Sequence, residues 1–177
     1  FSLYSYFVER GYVLARVDIR GTGNSEGRLI PYEYSDQEHE DGEAVIDWLN
    51  EPVILYGHSA GSAGAIIAAS RISGKIRVLF LEACYAYTEE ALLSLYRWFN
   101  PFFGKFVGPV ILFWMNIFYG NKLDSVSPAR LAPGLELPVM LIHGANDKRF
   151  PLDFALKLKN SFAAGQAELY VADGAGH

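Results

Sequence analysis

The chain has 177 residues, of which 51% are hydrophobic and 20% are charged, and its formal net charge at pH 7 is −5. This composition is enough for the core of one globular domain, so we predict a single domain over residues 1–177. The acidic balance argues against nucleic acid, and against an anionic membrane surface, as the main partner. The one cysteine, Cys84, excludes an intramolecular disulfide and a cysteine metal cluster. It fits a reducing compartment such as the cytoplasm, but localisation and oligomeric state stay open.

The N-terminal part predicts two helices separated by a strand. Apolar residues at helical spacing within residues 1–10, followed by Gly11, predict a helix that stops at the glycine, and residues 12–19 predict a strand. Ser35-Asp36-Gln37-Glu38 is a capping-box pattern, and residues 36–49 have apolar residues at helical spacing. We expect a surface helix there whose buried face is made of Ala44, Val45, Trp48 and Leu49.

A glycine-rich stretch, residues 21–27, has the spacing of a dinucleotide-binding loop. The residues after it, Arg28-Leu29-Ile30-Pro31, do not begin a helix that could hold a pyrophosphate. We therefore expect a turn in which Asp18 and Arg20 are structural anchors.

The most informative pattern lies in residues 53–61. An apolar strand over residues 53–56 breaks into Gly57-His58-Ser59-Ala60-Gly61, and a helix of small residues follows over residues 62–69. In a Gly-x-Ser-x-Gly turn the serine stands on a strained backbone, and its hydroxyl projects from the edge of the sheet. We predict Ser59 as a nucleophile and the backbone N–H of Ala60, at the helix N-terminus, as a donor to an oxyanion.

An insert rich in aromatic residues occupies residues 85–128. Its most apolar part, residues 106–120, is 15 residues long and contains Pro109, whereas a membrane-spanning helix needs about 20 residues. We expect a lid or cap helix, with contact to lipid and a true membrane span as the alternatives.

Three further strands are predicted, over residues 76–81, 138–144 and 167–171, and a helix is predicted over residues 151–162. Asp147 follows the second of these strands and His177 follows the third. A serine nucleophile needs a base, and the base needs a third group to hold its tautomer. We predict His177 as the base and Asp147 as the orienting acid, with Glu82 and Asp173 as alternative acids.

These motifs resemble those of the α/β-hydrolase superfamily, in which nucleophile, acid and histidine follow in this chain order. Three motifs carry the resemblance. They are the strained Gly-x-Ser-x-Gly turn at Ser59, called the nucleophile elbow, the His-Gly-x-x-Asp run over residues 143–147, and the Gly-x-Gly-His sequence at the end of the chain. Residues 20–49 are similar to the cocaine-esterase and Xaa-Pro dipeptidyl-peptidase branch. The later half is similar to the serine aminopeptidase and monoacylglycerol-lipase branch.

The resemblance implies an α/β fold, with a mostly parallel sheet, helices on both faces, and a lid insert at residues 85–128. It also implies a serine hydrolase that needs no cofactor, and no cluster of His, Asp and Glu has metal-ligand spacing independent of the triad. The expected substrate is a small ester or a peptide, contacted by His58, Phe113 and Trp114. A proline-directed peptidase and a non-catalytic binding protein of the same fold remain the alternatives.

The two ends of the sequence add one expectation. The chain starts without Met inside a predicted helix, and it ends on His177. We therefore expect a piece of a longer protein, in which the first strands and the second oxyanion donor precede Phe1.

Overall fold

The computed structural model describes residues 3–13, 15, 17–18, 20–28, 36–49, 53–72, 74–118, 120 and 124–177. The chain forms two compact units, Phe1–Val45 and Ile46–His177. The second unit contains all the described β-strands. That residues 1–177 form one domain stays a prediction.

The first described helix, α1 (Leu3–Val8), stops at a glycine as its sequence predicts. Gly11 has a φ of 81°, a left-handed conformation that glycine adopts without strain. The N–H of Gly11 donates to the carbonyl of Val8 (3.0 Å), and the N–H of Tyr12 donates to the carbonyl of Phe7 (3.2 Å). This pair of bonds is a Schellman motif, which satisfies carbonyl groups that a helix end leaves unpaired.

The strand predicted over residues 12–19 is wrong for the residues described there, which are 12, 13, 15, 17 and 18. None of these lies in a strand, and Val13 is 92% exposed. A strand forms only where its backbone groups pair with those of a neighbouring strand, and an apolar pattern does not reveal whether that neighbour is in place. Residues 14, 16 and 19 lie outside the described residues.

The glycine-rich stretch forms a turn held by the two anchors expected from the sequence. The Asp18 carboxylate accepts the N–H of Asn24 (3.0 Å), and the Asp18 carbonyl accepts the hydroxyl of Ser25 (2.6 Å). Arg20 makes a bidentate ion pair with Asp41. Residues 24–28 are not helical, so this part of the chain presents no helix N-terminus to a phosphate group.

Helix α2 (Asp36–Leu49) has its predicted bounds but a different buried side. Ile46 is buried, whereas Ala44 is exposed and Trp48 is 79% exposed. Successive helical residues are about 100° apart around the axis, so Ile46 and Trp48 point in nearly opposite directions. The predicted burial of Ala44 and Trp48 is therefore wrong, whereas Val45 and Leu49 are half-buried.

Four parallel strands form the sheet of the second unit, in the order β1-β2-β3-β4. They are β1 (Val53–His58), β2 (Ile76–Glu82), β3 (Val139–Gly144) and β4 (Ala167–Ala172). Each lies within two residues of its predicted ends, which confirms the α/β class. Because parallel strands share a direction, their carboxyl ends lie along one edge, which is where such sheets carry their sites.

Helix α3 (Ala60–Arg71) follows β1 and lies close against the sheet. A Cβ atom on Gly57 would come within 2.4 Å of the carbonyl oxygen of Gly61, so the approach requires glycine. The buried hydroxyl of Ser62 contacts the carbonyls of Gly57 (2.7 Å) and Glu82 (2.8 Å), which fastens α3 to both β1 and β2. Fully buried core side chains include Ile66, Leu79, Leu81, Leu141 and Leu158.

The insert is closed at its base by a hydrogen-bonded clamp. The N–H of Ala129 donates to the carbonyl of Ala86 (2.9 Å), and the N–H of Thr88 donates to the hydroxyl of Ser127 (2.9 Å). Thr88 and Ser127 are 39 residues apart, and Ser127 is fully buried. The insert therefore leaves the sheet layer and rejoins it at one point.

The insert consists of helices α4 (Thr88–Phe99), α5 (Pro101–Phe106) and α6 (Gly108–Phe118), followed by α7 (Pro128–Leu131). Helix α6 occupies most of residues 106–120, and Pro109 stands in its first turn, where proline is tolerated, rather than interrupting it. In the part of the chain that the structure describes, no helix has the length and apolar character needed to cross a membrane. Helix α8 (Leu152–Lys159) connects β3 to β4.

Gly144 at the end of β3 supplies a test of the packing at the sheet edge. A Cβ atom there would lie 2.1 Å from the carbonyl oxygen of Gly176, so Gly144→Ala forces two backbone segments apart. We expect a loss of about 1–3 kcal/mol in the free energy of unfolding by urea. Gly134→Ala is the matched control, because no atom lies within 4 Å of its added Cβ, and it should be neutral. Equal effects of the two substitutions would contradict this account.

Candidate active site

Ser59 stands between β1 and α3 on a strained backbone. Its φ of 55° and ψ of −121° place a non-glycine residue in a conformation that L-residues rarely adopt. The Ser59 N–H donates to the carbonyl of Glu82 (2.8 Å), which ties the turn to the neighbouring strand. The backbone therefore has the elbow shape expected from the sequence.

His177 connects Ser59 to Asp147. Its Nδ1 lies 2.7 Å from Oδ2 of Asp147, and its Nε2 lies 2.9 Å from Oγ of Ser59. An ionised carboxylate only accepts hydrogen bonds, so Nδ1 carries the proton, and Nε2 of the neutral ring accepts the hydroxyl proton of Ser59. The structure thus brings together the three residues proposed as nucleophile, base and acid.

Asp147 is buried, and its other carboxylate oxygen is held by the backbone. Oδ1 accepts the N–H groups of Arg149 (2.8 Å) and Phe150 (3.0 Å). Burial raises the pKa of Asp147, but these donors and His177 outweigh burial, so the pKa is lowered below its usual value. Asp147 is therefore ionised at neutral pH.

The loops that carry Asp147 and His177 are joined by backbone bonds. The N–H of Ala145 donates to Ala172 (3.0 Å), and the N–H of Asn146 donates to Ala175 (2.8 Å). Because β3 and β4 are adjacent parallel strands, these loops leave the same edge side by side. The distance between acid and base is thus fixed by the sheet.

The carboxylates of the two alternative acids have other surroundings. Glu82 ends β2, and its carboxylate accepts the hydroxyl of Tyr56. Asp173 follows β4 and is exposed. In the described residues it is Asp147 whose carboxylate contacts His177.

The remaining predicted site residues occupy different surroundings. The ring of His58 packs against that of His177, with centroids 5.3 Å apart. Ala60 is the first residue of α3. Phe113 and Trp114 contact each other on the solvent-facing side of α6, where they are 61% and 54% exposed. Their contact with a substrate stays a prediction.

Two residues at the site were missed as site residues by sequence reasoning. The Phe150 ring contacts that of His177 edge-on, with centroids 5.1 Å apart. His143 is fully buried on β3, and its Nε2 lies 2.7 Å from the carbonyl oxygen of Phe150. The His-Gly-x-x-Asp run contained the signal for His143, but no local pattern indicated its partner seven residues away.

Helix α4 packs on the turn that carries Asp147. The hydroxyl of Ser94 donates to the carbonyl of Arg149 (2.6 Å), and the Arg149 guanidinium lies 4.4 Å from the ring centroid of Trp98. Ala91 on α4 joins a buried cluster with Phe150 and Phe154. The first helix of the insert is therefore fixed to the acid turn.

Other reactive groups have less favourable surroundings. Burial raises the pKa of the Cys84 thiol, so this cysteine stays protonated and is a poor nucleophile. The described residues contain no group of three or more His, Cys, Asp or Glu side chains that could hold a metal ion.

Comparisons with known proteins agree on the fold and the class of enzyme. Residues 2–86 match the X-Pro dipeptidyl-peptidase (S15) family. The AB hydrolase superfamily protein YisY of Bacillus subtilis is 28% identical over a 207-residue alignment that covers 96% of this chain and 76% of that protein.

Two solved structures illustrate the likeness in fold. The esterase Pf2001 of Pyrococcus furiosus superposes with a TM-score of 0.71 and 19% identity, over 99% of this chain and 66% of its own. An α/β fold family hydrolase from Bacillus anthracis has a TM-score of 0.68 and 18% identity, over 90% of this chain and 74% of its own. With the parallel sheet and the order of its strand exits, these similarities show that the chain has the α/β-hydrolase fold and is a hydrolase.

Proposed function

We propose that this hydrolase is a serine esterase that acts through an acyl-enzyme on Ser59. The observation that carries the proposal is the continuous hydrogen-bond chain from Ser59 through His177 to Asp147, with distances of 2.9 Å and 2.7 Å. A serine hydroxyl alone is a poor nucleophile, and a base held in one tautomer by a carboxylate is the arrangement that activates it.

In the first step Oγ of Ser59 attacks the carbonyl carbon of the substrate, and Nε2 of His177 takes the hydroxyl proton. Asp147 holds the proton on Nδ1 and stabilises the imidazolium that forms. The tetrahedral intermediate collapses when His177 gives its proton to the leaving alcohol, and the acyl group stays on Ser59. Water then attacks the acyl-enzyme, His177 takes a proton from the water and returns it to Oγ, and the carboxylic acid is released.

The negative charge of the tetrahedral intermediate needs a hydrogen-bond donor near Ser59. We assign this role to the backbone N–H of Ala60 at the start of α3, where the helix carries a positive partial charge. One such donor is worth about 10²- to 10³-fold in rate.

The substrate we propose is an ester with an apolar acyl group. The insert supports this choice, because the exposed Phe113 and Trp114 supply an apolar surface, and His58 stands beside the base. The match of residues 2–86 to the X-Pro dipeptidyl-peptidase family favours a proline-directed peptidase as the second candidate. A binding protein without catalysis is the alternative of another class.

Ser59→Ala tests the acyl-enzyme directly. Removing the nucleophile should abolish labelling by a fluorophosphonate probe and reduce hydrolysis of p-nitrophenyl esters by about 10⁴- to 10⁶-fold. Ser161→Ala, which removes a hydroxyl that donates to the carbonyl of Lys157 on α8, should change neither measurement. A parallel assay with Xaa-Pro anilides distinguishes esterase from peptidase. Labelling that persists in Ser59→Ala would exclude this serine as the nucleophile.

Asp147→Asn tests the identity of the acid. An amide in place of the carboxylate favours the wrong tautomer of His177, so kcat should fall by roughly 10³- to 10⁴-fold with the fold retained. Glu82→Gln should be mild, because the Glu82 carboxylate contacts Tyr56. Steady-state kinetics of the two variants measure this difference in kcat. A larger loss in Glu82→Gln than in Asp147→Asn would assign Glu82 as the acid.

The lowered pKa of Asp147 also predicts a pH dependence of stability. A carboxylate with a lowered pKa in the folded chain stabilises the fold above the ordinary carboxyl pKa of about 4, and this contribution is lost as the pH falls through the folded value. Between pH 7 and pH 3 the Tm should therefore fall less in Asp147→Asn than in the wild type. Asp173→Asn, which changes an exposed carboxylate, should behave as the wild type does. The same fall in all three proteins would contradict this assignment.

A further inference from the structure

The buried ring of His143 is not used by the mechanism above. Its side chain is completely inaccessible to solvent on β3. Nε2 lies 2.7 Å from the carbonyl oxygen of Phe150, and a carbonyl only accepts, so Nε2 carries the proton. Nδ1 is also buried, and it has no hydrogen-bond partner among the described residues.

That unpartnered nitrogen shows that His143 is not placed there by packing alone. Leaving a buried polar atom without a partner costs about 1–3 kcal/mol, which an apolar side chain at the same position would avoid. The strand around it is otherwise apolar, with Val139 and Leu141 in the core. The hydrogen bond from Nε2 of His143 to the carbonyl oxygen of Phe150 offsets the cost of the unpartnered Nδ1.

Phe150 contacts His143 and also both the acid and the base of the site. Its carbonyl accepts the hydrogen bond of His143, and its N–H donates to Oδ1 of Asp147 (3.0 Å). Its ring packs edge-on against that of His177. A shift of Phe150 would therefore disturb the acid and the base together.

His143 also lies near the acid. Nε2 lies 3.8 Å from Oδ2 of Asp147, the same oxygen that accepts the hydrogen bond of His177. This separation is too long for a hydrogen bond, so the link between His143 and Asp147 runs through Phe150.

We propose that His143 is a positioning residue for the reaction, holding the carbonyl of Phe150 so that the turn from Asp147 to Phe150 keeps both acid and base in register with Ser59. This inference rests on the proposed function. Misplacing reacting groups by about 1 Å costs on the order of 10²-fold in rate. The effect should therefore fall on kcat and leave KM nearly unchanged.

A pair of amide substitutions tests the inference. The amide of Gln reaches about as far along the side chain as Nε2 of His, whereas the amide of Asn reaches only as far as Nδ1. His143→Asn should lower kcat by about 10- to 100-fold at a temperature well below its Tm. His143→Gln should restore kcat to within about fivefold of the wild type. KM should change by less than about twofold in both.

Ile76→Ala is the control for a loss of stability alone. Ile76 is buried at the start of β2, at the end of the sheet opposite the site, and its truncation should cost about 2–5 kcal/mol. Its Tm should fall while its kcat, measured below that Tm, stays that of the wild type.

The outcomes separate the two proposals. Equal kcat values in the wild type and His143→Asn would overturn the positioning role, and so would equal losses in the Asn and Gln variants, because ring volume would then be the cause. Failure of the proposed function would instead appear in a protein whose turnover survives Ser59→Ala, and the positioning role would fall with it.

Discussion

The arrangement at the sheet edge depends on keeping one buried carboxylate ionised. A charge removed from water is costly unless hydrogen bonds and opposite charge replace the solvent. For Asp147 the replacement comes from the N–H groups of Arg149 and Phe150 and from the ring of His177. Each of these N–H groups has to point at a carboxylate oxygen. The hydrogen bonds that stabilise the charge therefore also fix the conformation of the turn and the orientation of the imidazole ring.

The insert takes part in this arrangement through its first helix. The ring of Trp98 on helix α4 contacts the guanidinium of Arg149, and the hydroxyl of Ser94 on the same helix donates to the Arg149 carbonyl. Glu90 on the same helix pairs with Lys157 of α8 (2.7 Å). Helices α5 and α6 differ, because their aromatic side chains, including Phe102, are largely exposed. The segment predicted as one lid thus combines a helix fixed to the acid turn with two helices that present apolar surface.

The sequence predicts those features that depend on local spacing. The four strands of the sheet, the elbow at Ser59 and the order of Asp147 and His177 along the chain all follow from runs of apolar residues and the turns after them. The geometry of parallel strands then explains why residues as distant as Ser59 and His177, 118 positions apart, meet at one edge.

Features that depend on partners could not be predicted in this way. Whether residues 12–19 pair as a strand depends on a neighbouring strand, and which side of α2 is buried depends on what packs there. The contacts of Phe150 with His143, Asp147 and His177 join the carbonyl, the N–H and the ring of one residue to three different places. The periodic spacing of apolar residues does not predict such contacts, because the carbonyl, the N–H and the ring of Phe150 each point in a different direction.

The clamp between Thr88 and Ser127 has a consequence for how this fold diversifies. A segment whose ends are joined at one point does not change the course of the sheet, whatever its length, and doubling a loop adds only about 0.6 kcal/mol of closure entropy. The exposed apolar surface of the insert and the geometry at the sheet edge therefore belong to separate parts of the chain. A change of length in α5 or α6 would leave the sheet in place, whereas α4 carries the contacts to the acid turn that any such change has to keep.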